Sequence, residues 1–165
     1  MEIKVQPLAQ KHSAMLATFR CGVRSIDDYL DQAYGLQEFN LARIFIAVEA
    51  ANKNNMVGYY AVHNMHIEAD TMPMPFASML RRGAMVGAVY VVMFAVDRRY
   101  HNQGIGTNLF RSALKRIKRI PEESGVWAVV LDALNDDAER FYRRFGFETL
   151  VSNTRRLYLP VNEIA

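Results

Sequence analysis

The sequence of 165 residues contains a single cysteine, Cys21, and its four histidines lack the spacing of metal ligands. One cysteine excludes an internal disulfide and a cysteine metal cluster. The longest apolar run, residues 84–96, is shorter than the roughly 20 residues that a membrane-spanning helix needs. The first four residues lack the charged and then apolar pattern of a signal peptide. We therefore expect a cytoplasmic protein without a metal site or a membrane span.

The overall composition, 51% hydrophobic and 22% charged, is typical of one globular domain, and we expect a single domain over residues 1–165. The net charge is +3, and pairs of basic residues are concentrated in the second half. Such a basic surface can bind a nucleic acid, bind the phosphates of a cofactor, or simply face the solvent. Charge alone favours the solvated surface.

The hydrophobic pattern predicts strands at residues 2–8, 42–50, 56–68, 89–96, 126–134 and 155–161. It predicts helices at residues 14–19, 26–39, 104–117 and 136–145, with Ser25 and Asp28 forming a capping box for the second helix and Gly146 ending the last. This order gives an α/β (α+β) fold with a mixed sheet and helices on both faces.

A glycine turn at residues 101–107 connects the apolar strand to the third predicted helix. Gly104 and Gly106 flank Ile105, so the backbone can approach a ligand closely, and the first N–H groups of the helix point outward. The turn therefore predicts an anion site, most simply for a pyrophosphate. It has neither the third glycine of a Rossmann fingerprint nor the lysine of a Walker loop. The alternative is a tight turn without a ligand.

The turn resembles the acyl-CoA-binding loop of the GNAT N-acetyltransferases, Arg/Gln-x-x-Gly-x-Gly/Ala, with His101 at the Arg/Gln position. The resemblance implies that acetyl-CoA is the acetyl donor and that no metal takes part. It also implies that the pyrophosphate binds mainly to backbone N–H groups and that pantetheine binds the backbone of the preceding strand. The cofactor-binding residues implied in this way are Phe94, Ala95, Val96, His101, Gln103, Gly104, Ile105, Gly106 and Thr107.

A second segment, residues 135–147, closely resembles the GNAT pattern N-x-x-A-x-x-F-Y-x-x-x-G-F. Without the family, Tyr142 would be interpreted as a core aromatic residue. The resemblance implies instead that Tyr142 is the general acid that protonates the leaving CoA thiolate, and that Asn135 is a side-chain contact to CoA. The chemistry suits a phenol, whose ordinary pKa of about 10 keeps it protonated at neutral pH.

The N-terminal third narrows the resemblance to one group within the family. Residues 19–30 resemble the F-x-C-G-x-x-x-L-D-x-Y-L pattern of GNAT toxins that are encoded with ribbon-helix-helix antitoxins and acetylate the amino group of aminoacyl-tRNA. Residues 57–61 and 94–97 resemble further segments of these toxins, whereas Val92 and Met93 replace a Gly-Arg pair. The resemblance implies a GNAT fold with a mostly antiparallel sheet, an antitoxin partner and, as one allowed assembly, a homodimer.

The first functional hypothesis is therefore an acetyl-CoA-dependent toxin that blocks translation by acetylating charged tRNA. In this hypothesis Arg98, Arg99, Arg143 and Arg144 bind the RNA, because each pair lies beside one of the two motifs. The alternative is that these arginines are solvated or form ion pairs with Asp97, Asp136 and Glu139. The second hypothesis is an N-acetyltransferase of a small amine or a protein amine, without a toxin role. A third is a CoA-binding regulatory module without turnover, against which the presence of Tyr142 argues.

Overall fold

The computed structural model describes the whole chain, Met1–Ala165. Its strands are β1 (Ile3–Pro7), β2 (Arg43–Glu49), β3 (Met56–Glu68), β4 (Met85–Val96), β5 (Ala128–Asp132), β6 (Glu148–Thr149) and β7 (Arg156–Pro160). Its helices are α1 (Ser13–Thr18), α2 (Arg24–Tyr29), α3 (Ala33–Glu38), α4 (Ile105–Ile117) and α5 (Asp136–Arg143), with short 3-10 turns between several elements. None of these helices combines the length and the apolar character required to span a membrane.

The strands form one seven-stranded sheet in the order β1-β2-β3-β4-β5-β7-β6. The pairs β1–β2, β2–β3, β5–β7 and β6–β7 are antiparallel, whereas β4 and β5 are parallel. The predicted class, a mixed and mostly antiparallel sheet with helices, is confirmed. The chain divides into two compact units, which we call the first unit (residues 1–63 and 92–114) and the second unit (residues 64–91 and 115–165).

In the first unit, helices cover both faces of the sheet. Side chains alternate between the two faces of a strand, so β2 divides its buried residues between two clusters. Ile44, Ile46 and Val48 pack in one cluster with residues of α1 to α3 such as Leu16 and Ala33. Phe45 and Ala47 pack in the other cluster with three residues of α4, namely Ile105, Leu109 and Ala113. The periodic burial along α4 matches the stripe that the sequence predicts.

The packing of β3 in the first unit depends on a glycine at position 58. A Cβ atom at Gly58 would lie 2.7 Å from the carbonyl oxygen of Ala95 and 2.8 Å from Cδ2 of Leu109. Real Cβ atoms do not come so close to a backbone atom, and this carbonyl belongs to a strand with little freedom to move. Gly58 therefore lets β3 lie close to the end of β4 and to α4.

The predicted capping box at Ser25 is wrong. Helix α2 begins one residue earlier than Ser25, with Val23 at its N-cap and no side-chain cap. The carboxylate of Asp27 is used in a different way, because its Oδ1 accepts a hydrogen bond from the backbone N–H of Cys21 at 2.8 Å. Cys21 is buried, and burial raises the pKa of its thiol to about 11. The sequence also predicts one helix over 26–39, whereas a 3-10 turn separates α2 from α3.

The second unit has its own apolar cluster on β4, β5 and β7, which contains Ala88, Ala128, Val130 and Tyr158. Trp127 stacks on Tyr158 with 5.3 Å between ring centroids. Strand β4 begins four residues before the predicted start, and β5 is shorter than predicted at both ends. The parallel ladder between β4 and β5 consists of three residue pairs and ends at Tyr90 and Val130, although β4 continues to Val96.

Candidate functional site

The glycine turn lies in the first unit between β4 and α4. Asn102 and Gly104 both have positive φ, 58° and 77°, so the chain reverses sharply before α4 begins at Ile105. The first helical hydrogen bond joins the N–H of Asn108 to the carbonyl oxygen of Gly104 at 3.2 Å. The N–H groups of Ile105, Gly106 and Thr107 therefore have no intrahelical acceptor and are available to an anion.

The backbone at Gly104 is open on the side where a side chain would project. A Cβ atom built on Gly104 would meet no atom within 4 Å, so the space beside this position is open. At φ 77° a residue other than glycine would also be strained. The binding of a pyrophosphate to this backbone remains a prediction.

Two polar side chains of the turn contact backbone carbonyl groups that precede it. The Nε2 atom of His101 lies 2.7 Å from the carbonyl oxygen of Val96, and Nε2 of Gln103 donates to the carbonyl oxygen of Arg99 at 3.2 Å. Both side chains are exposed. Their contacts hold the turn against the end of β4, and their predicted contacts with CoA remain predictions.

The end of β4 presents the three residues predicted to line the donor. Ala95 is buried in the cluster with α1 to α3, whereas Phe94 and Val96 pack in the cluster with α4. The ring of Phe94 contacts that of Phe110 edge to face, with 5.1 Å between centroids. These residues lie beyond the last β4–β5 pair, so this part of β4 is not included in the parallel ladder.

Asp97, which the sequence suggests only as an ion-pair partner of the neighbouring arginines, is a buried charged residue just before the turn. Its carboxylate accepts hydrogen bonds from the N–H of Arg20 at 3.1 Å, and from Nε and Nη2 of Arg99 at 2.9 and 3.1 Å. Burial alone would raise the pKa of Asp97, but these hydrogen bonds outweigh burial and hold the pKa below its usual value. In the sequence, the signal that could identify this residue is a carboxylate placed directly after an apolar strand.

The four arginines predicted to bind RNA differ in their surroundings. Arg99 is paired with buried Asp97, and Arg143 donates to Glu139 at 2.7 Å and to Thr149 at 2.7 Å. The guanidinium carbon of Arg144 lies 5.3 Å from the ring centroid of Phe141. Arg98 is exposed, and its guanidinium group forms no ion pair. Their role in binding RNA remains a prediction.

Asn135 and Tyr142 belong to the second unit, on and beside α5. Asn135 is the N-cap of this helix, and its Oδ1 accepts a hydrogen bond from the N–H of Ala138 at 2.9 Å. The ring of Tyr142 lies among aromatic neighbours, 5.2 Å from Phe141 and 6.0 Å from Phe147 between centroids. Burial raises the pKa of the Tyr142 phenol well above its ordinary value. The phenol is therefore in its acid form at every pH at which the protein would work.

Ion pairs fix the first turns of α5. Arg155 contacts Asp136 at 2.7 Å and Glu139 at 3.0 Å, and Glu139 also pairs with Arg143. The acidic residues at the start of the helix complement its dipole. These contacts join Arg155, the residue before β7, to the start of the helix that carries Tyr142.

The chain matches the model of the Acetyltransferase (GNAT) family over residues 14–147. It is 29% identical over 156 residues to a protein named probable toxin TacT from Sinorhizobium fredii, covering 90% of this chain and 86% of that protein. It is 29% identical over 147 residues to a protein named tRNA-acetylating toxin from Mycobacterium tuberculosis, covering 87% of this chain and 83% of that protein.

Solved structures share the fold. AtaT in complex with acetyl-methionyl-tRNAfMet superposes with a TM-score of 0.85 at 22% identity, covering 98% of this chain and 96% of AtaT. A variant of AtaT bound to acetyl-CoA and to the C-terminus of the antitoxin AtaR superposes with a TM-score of 0.80 at 21% identity, covering 98% and 95%. At these identities the likeness establishes the architecture of the chain.

Proposed function

The chain belongs to the acetyltransferase (GNAT) family, and on that premise we propose that it transfers the acetyl group of acetyl-CoA to the α-amino group of an aminoacyl-tRNA and so blocks translation. The observation that carries this proposal is the match of nearly the whole chain to two relatives, one named a probable toxin and the other a tRNA-acetylating toxin. The glycine turn and α5 provide the residues for the donor half of the reaction.

On the donor side, the N–H groups at the start of α4 bind the pyrophosphate of acetyl-CoA, and the open space at Gly104 accommodates it. The backbone of Phe94, Ala95 and Val96 binds pantetheine, and an N–H group of this strand polarises the thioester carbonyl. In the reaction the amine nitrogen bonds to the carbonyl carbon, the carbon–sulfur bond breaks, and the Tyr142 hydroxyl gives its proton to the sulfur.

On the acceptor side, the amine of an aminoacyl ester is less basic than that of a free lysine. A fraction of it is therefore already neutral near pH 7, and no strong general base is required. Arg98, Arg99, Arg143 and Arg144 remain our candidates for binding the RNA, although ion pairs already neutralise two of them. The same proposal includes a ribbon-helix-helix antitoxin as partner, a homodimer and a cytoplasmic location.

The ion pairs of Arg99 and Arg143 favour one alternative, an acetyltransferase of a small amine or a protein amine. A surface whose charges are paired attracts phosphates less strongly than the basic composition suggests. The two functions differ in the substrate that is used efficiently.

The deciding experiment offers the protein labelled acetyl-CoA together with a pool of aminoacyl-tRNA, and in parallel with free amino acid esters and short peptides. We expect the label to enter the aminoacyl-tRNA fraction and to be released as N-acetyl amino acid when the ester is hydrolysed. If every charged tRNA stays unlabelled while an ester or peptide is acetylated, the alternative function is correct.

A further inference from the structure

A cavity of about 610 Å³ opens in the first unit, and it is separate from the glycine turn. The end of α1, the loop after it, α2 and the residue after Asp97 form its walls. Six charged side chains line it: Arg20, Arg24, Asp27, Asp28, Asp31 and Arg98. Its volume lies in the range of small-molecule sites, roughly 300–1,000 Å³.

Arg20 and Arg98 form the basic side of the cavity. The N–H of Arg98 donates to the carbonyl oxygen of Arg20 at 2.8 Å, and the N–H of Arg20 donates to buried Asp97, so the two backbones are fixed side by side. The Arg98 guanidinium has no ion-pair partner. The Arg20 guanidinium uses Nη1 to donate to the carbonyl oxygens of Ala17 and Phe19. Since a guanidinium carries five donors, both groups retain N–H donors for a ligand.

Asp31, in the 3-10 turn after α2, provides the free acidic group of the cavity. Asp27 is used to bond the N–H of Cys21, and Asp28 faces Arg24 at 3.5 Å. Asp31 is exposed and has neither an ion pair nor a hydrogen bond. The cavity thus offers unpaired guanidinium donors on one side and an unpaired carboxylate on the other.

The basic side and the acidic side of the cavity together restrict which ligands can bind. A simple anion would leave the carboxylate of Asp31 without a hydrogen-bond donor, and a simple cation would leave the guanidinium groups without an acceptor. A phosphorylated nucleotide satisfies both sides. Its phosphate accepts hydrogen bonds from guanidinium groups, and an exocyclic amino group or a ribose hydroxyl donates to a carboxylate.

We propose that this cavity binds one phosphorylated nucleotide at the unpaired end of the substrate RNA, with its phosphate on Arg20 and Arg98 and its base or ribose donors on Asp31. The inference rests on the proposed function, since the nucleotide belongs to the RNA substrate of that reaction. The phosphoadenosine part of CoA has the same chemistry, and the experiment must separate these two sources.

The first test is a titration of isotope-labelled protein with adenosine 5′-monophosphate and with adenosine, followed by NMR, at saturating desulfo-CoA. We expect adenosine 5′-monophosphate to shift the amide signals of Arg98 and Asp31. Arg98→Ala should weaken its binding about tenfold and leave adenosine binding unchanged, because only the phosphate contact is lost. Asp31→Ala should weaken the binding of both ligands.

Arg81→Ala is the matched control, because Arg81 is exposed, has no ion pair and lies outside the cavity. This variant removes the same charge and should bind both ligands like the wild type. Equal affinity of wild type and Arg98→Ala for adenosine 5′-monophosphate would overturn the proposal. A parallel titration without desulfo-CoA gives the remaining outcome. If adenosine 5′-monophosphate shifts the signals of Arg98 and Asp31 only when desulfo-CoA is absent, and Arg98→Ala binds desulfo-CoA more weakly, the cavity belongs to the donor and the proposal is equally overturned.

The second test measures acetylation of aminoacyl-tRNA. Arg98→Ala should raise KM for the charged tRNA about tenfold at an unchanged kcat, and acetyl-CoA affinity should stay constant. If the wild type acetylates no charged tRNA but still binds the nucleotide through Arg98, the proposed function fails and the nucleotide site stands. If it acetylates charged tRNA while nucleotide binding does not depend on Arg98, only the cavity proposal fails.

Discussion

The carboxylate of Asp97 connects Arg20 to Arg99, with its Oδ2 atom 3.1 Å from the backbone nitrogen of Arg20 and its Oδ1 atom 2.9 Å from Nε of Arg99. Only 1% of the Asp97 side chain is exposed, so its charge depends on these partners. The neighbouring residue Arg98 also bonds to Arg20, because its backbone N–H donates to the Arg20 carbonyl oxygen. Its guanidinium group forms no ion pair. Two adjacent arginines thus have different structural roles.

Arg99→Ala should lower the free energy of unfolding by about 2 kcal/mol, because it leaves a buried carboxylate without its charged donor. Urea unfolding followed by circular dichroism measures this change. Arg98→Ala is the control and should unfold like the wild type. The structural role of Arg99 would be refuted if its removal weakened only RNA binding and left the unfolding midpoint unchanged.

Tyr142→Phe should lower kcat by about 10²–10⁴-fold with little change in acetyl-CoA affinity, since it removes a proton donor and keeps the ring packing. Single-turnover acetyl transfer and calorimetry measure the two quantities. Because burial raises the pKa of this phenol, the wild-type rate should show no loss from its ionisation up to about pH 10. A variant that turns over at the wild-type rate would mean that water or another group protonates the thiolate.

Gly104→Val should abolish acetyl-CoA binding in a folded protein, because a branched side chain would occupy the open space beside Gly104, where we propose that the pyrophosphate binds. Gly83→Val is a closely matched control. Gly83 has the same φ of 77° and open space around its Cβ position, but it lies in the loop before β4. The control should suffer similar backbone strain and still bind acetyl-CoA. Binding that is equally lost in both variants would show that strain, and not the pyrophosphate site, causes the effect.

His12 should make the protein less stable in mild acid. It is 1% exposed, its Nδ1 accepts the N–H of Ala9 at 2.9 Å, and its Nε2 has no partner. Burial and then the charge of Lys11 lower its pKa. The unfolded chain therefore binds the proton more tightly, so stability is complete above the ordinary pKa of about 6.5 and falls as the pH drops toward the lowered value.

Thermal unfolding of wild type and His12→Gln between pH 8 and pH 5 measures this effect. The wild-type Tm should drop more steeply below about pH 6.5 than that of the variant, which has no titrating imidazole. His66→Gln, at an exposed position of β3, should retain the wild-type pH dependence. Parallel curves for the wild type and His12→Gln would contradict the prediction.

Periodicity in the sequence predicted the elements that bury one continuous face. The predicted ends of β1, β2, β3 and α4 lie within one residue of the structure, because their apolar spacing directly reflects burial. It did not predict β6, which has two residues and no period of its own. It also missed the early start of β4, where the carbonyl oxygen of Gly87 accepts a hydrogen bond from the N–H of Trp127, a partner distant in sequence.

In the candidate site, too, local interactions were predicted and long-range ones were not. Asn135 was predicted to start the last helix, and it does so through its side chain, because capping is a local interaction. Helix α5 nevertheless ends at Arg143, and Gly146, with φ 99°, follows it by three residues instead of ending it directly. The ion pair of Asp97 with Arg99 could be anticipated from their proximity in the sequence. The bond of Asp97 to the N–H of Arg20 and that of Asp27 to the N–H of Cys21 were not visible, because the fold brings those backbone groups to them.

The buried thiol of Cys21 makes the natural protein a convenient background for site-specific labelling. With a pKa of about 11 and little access to solvent, it contains almost no thiolate at neutral pH and should react slowly with maleimides. A cysteine introduced at Phe39 or Met79, whose side chains are 72% and 77% exposed, would carry the fluorophore or spin label alone. RNA binding can then be followed by spectroscopy without first removing Cys21 from its structural position.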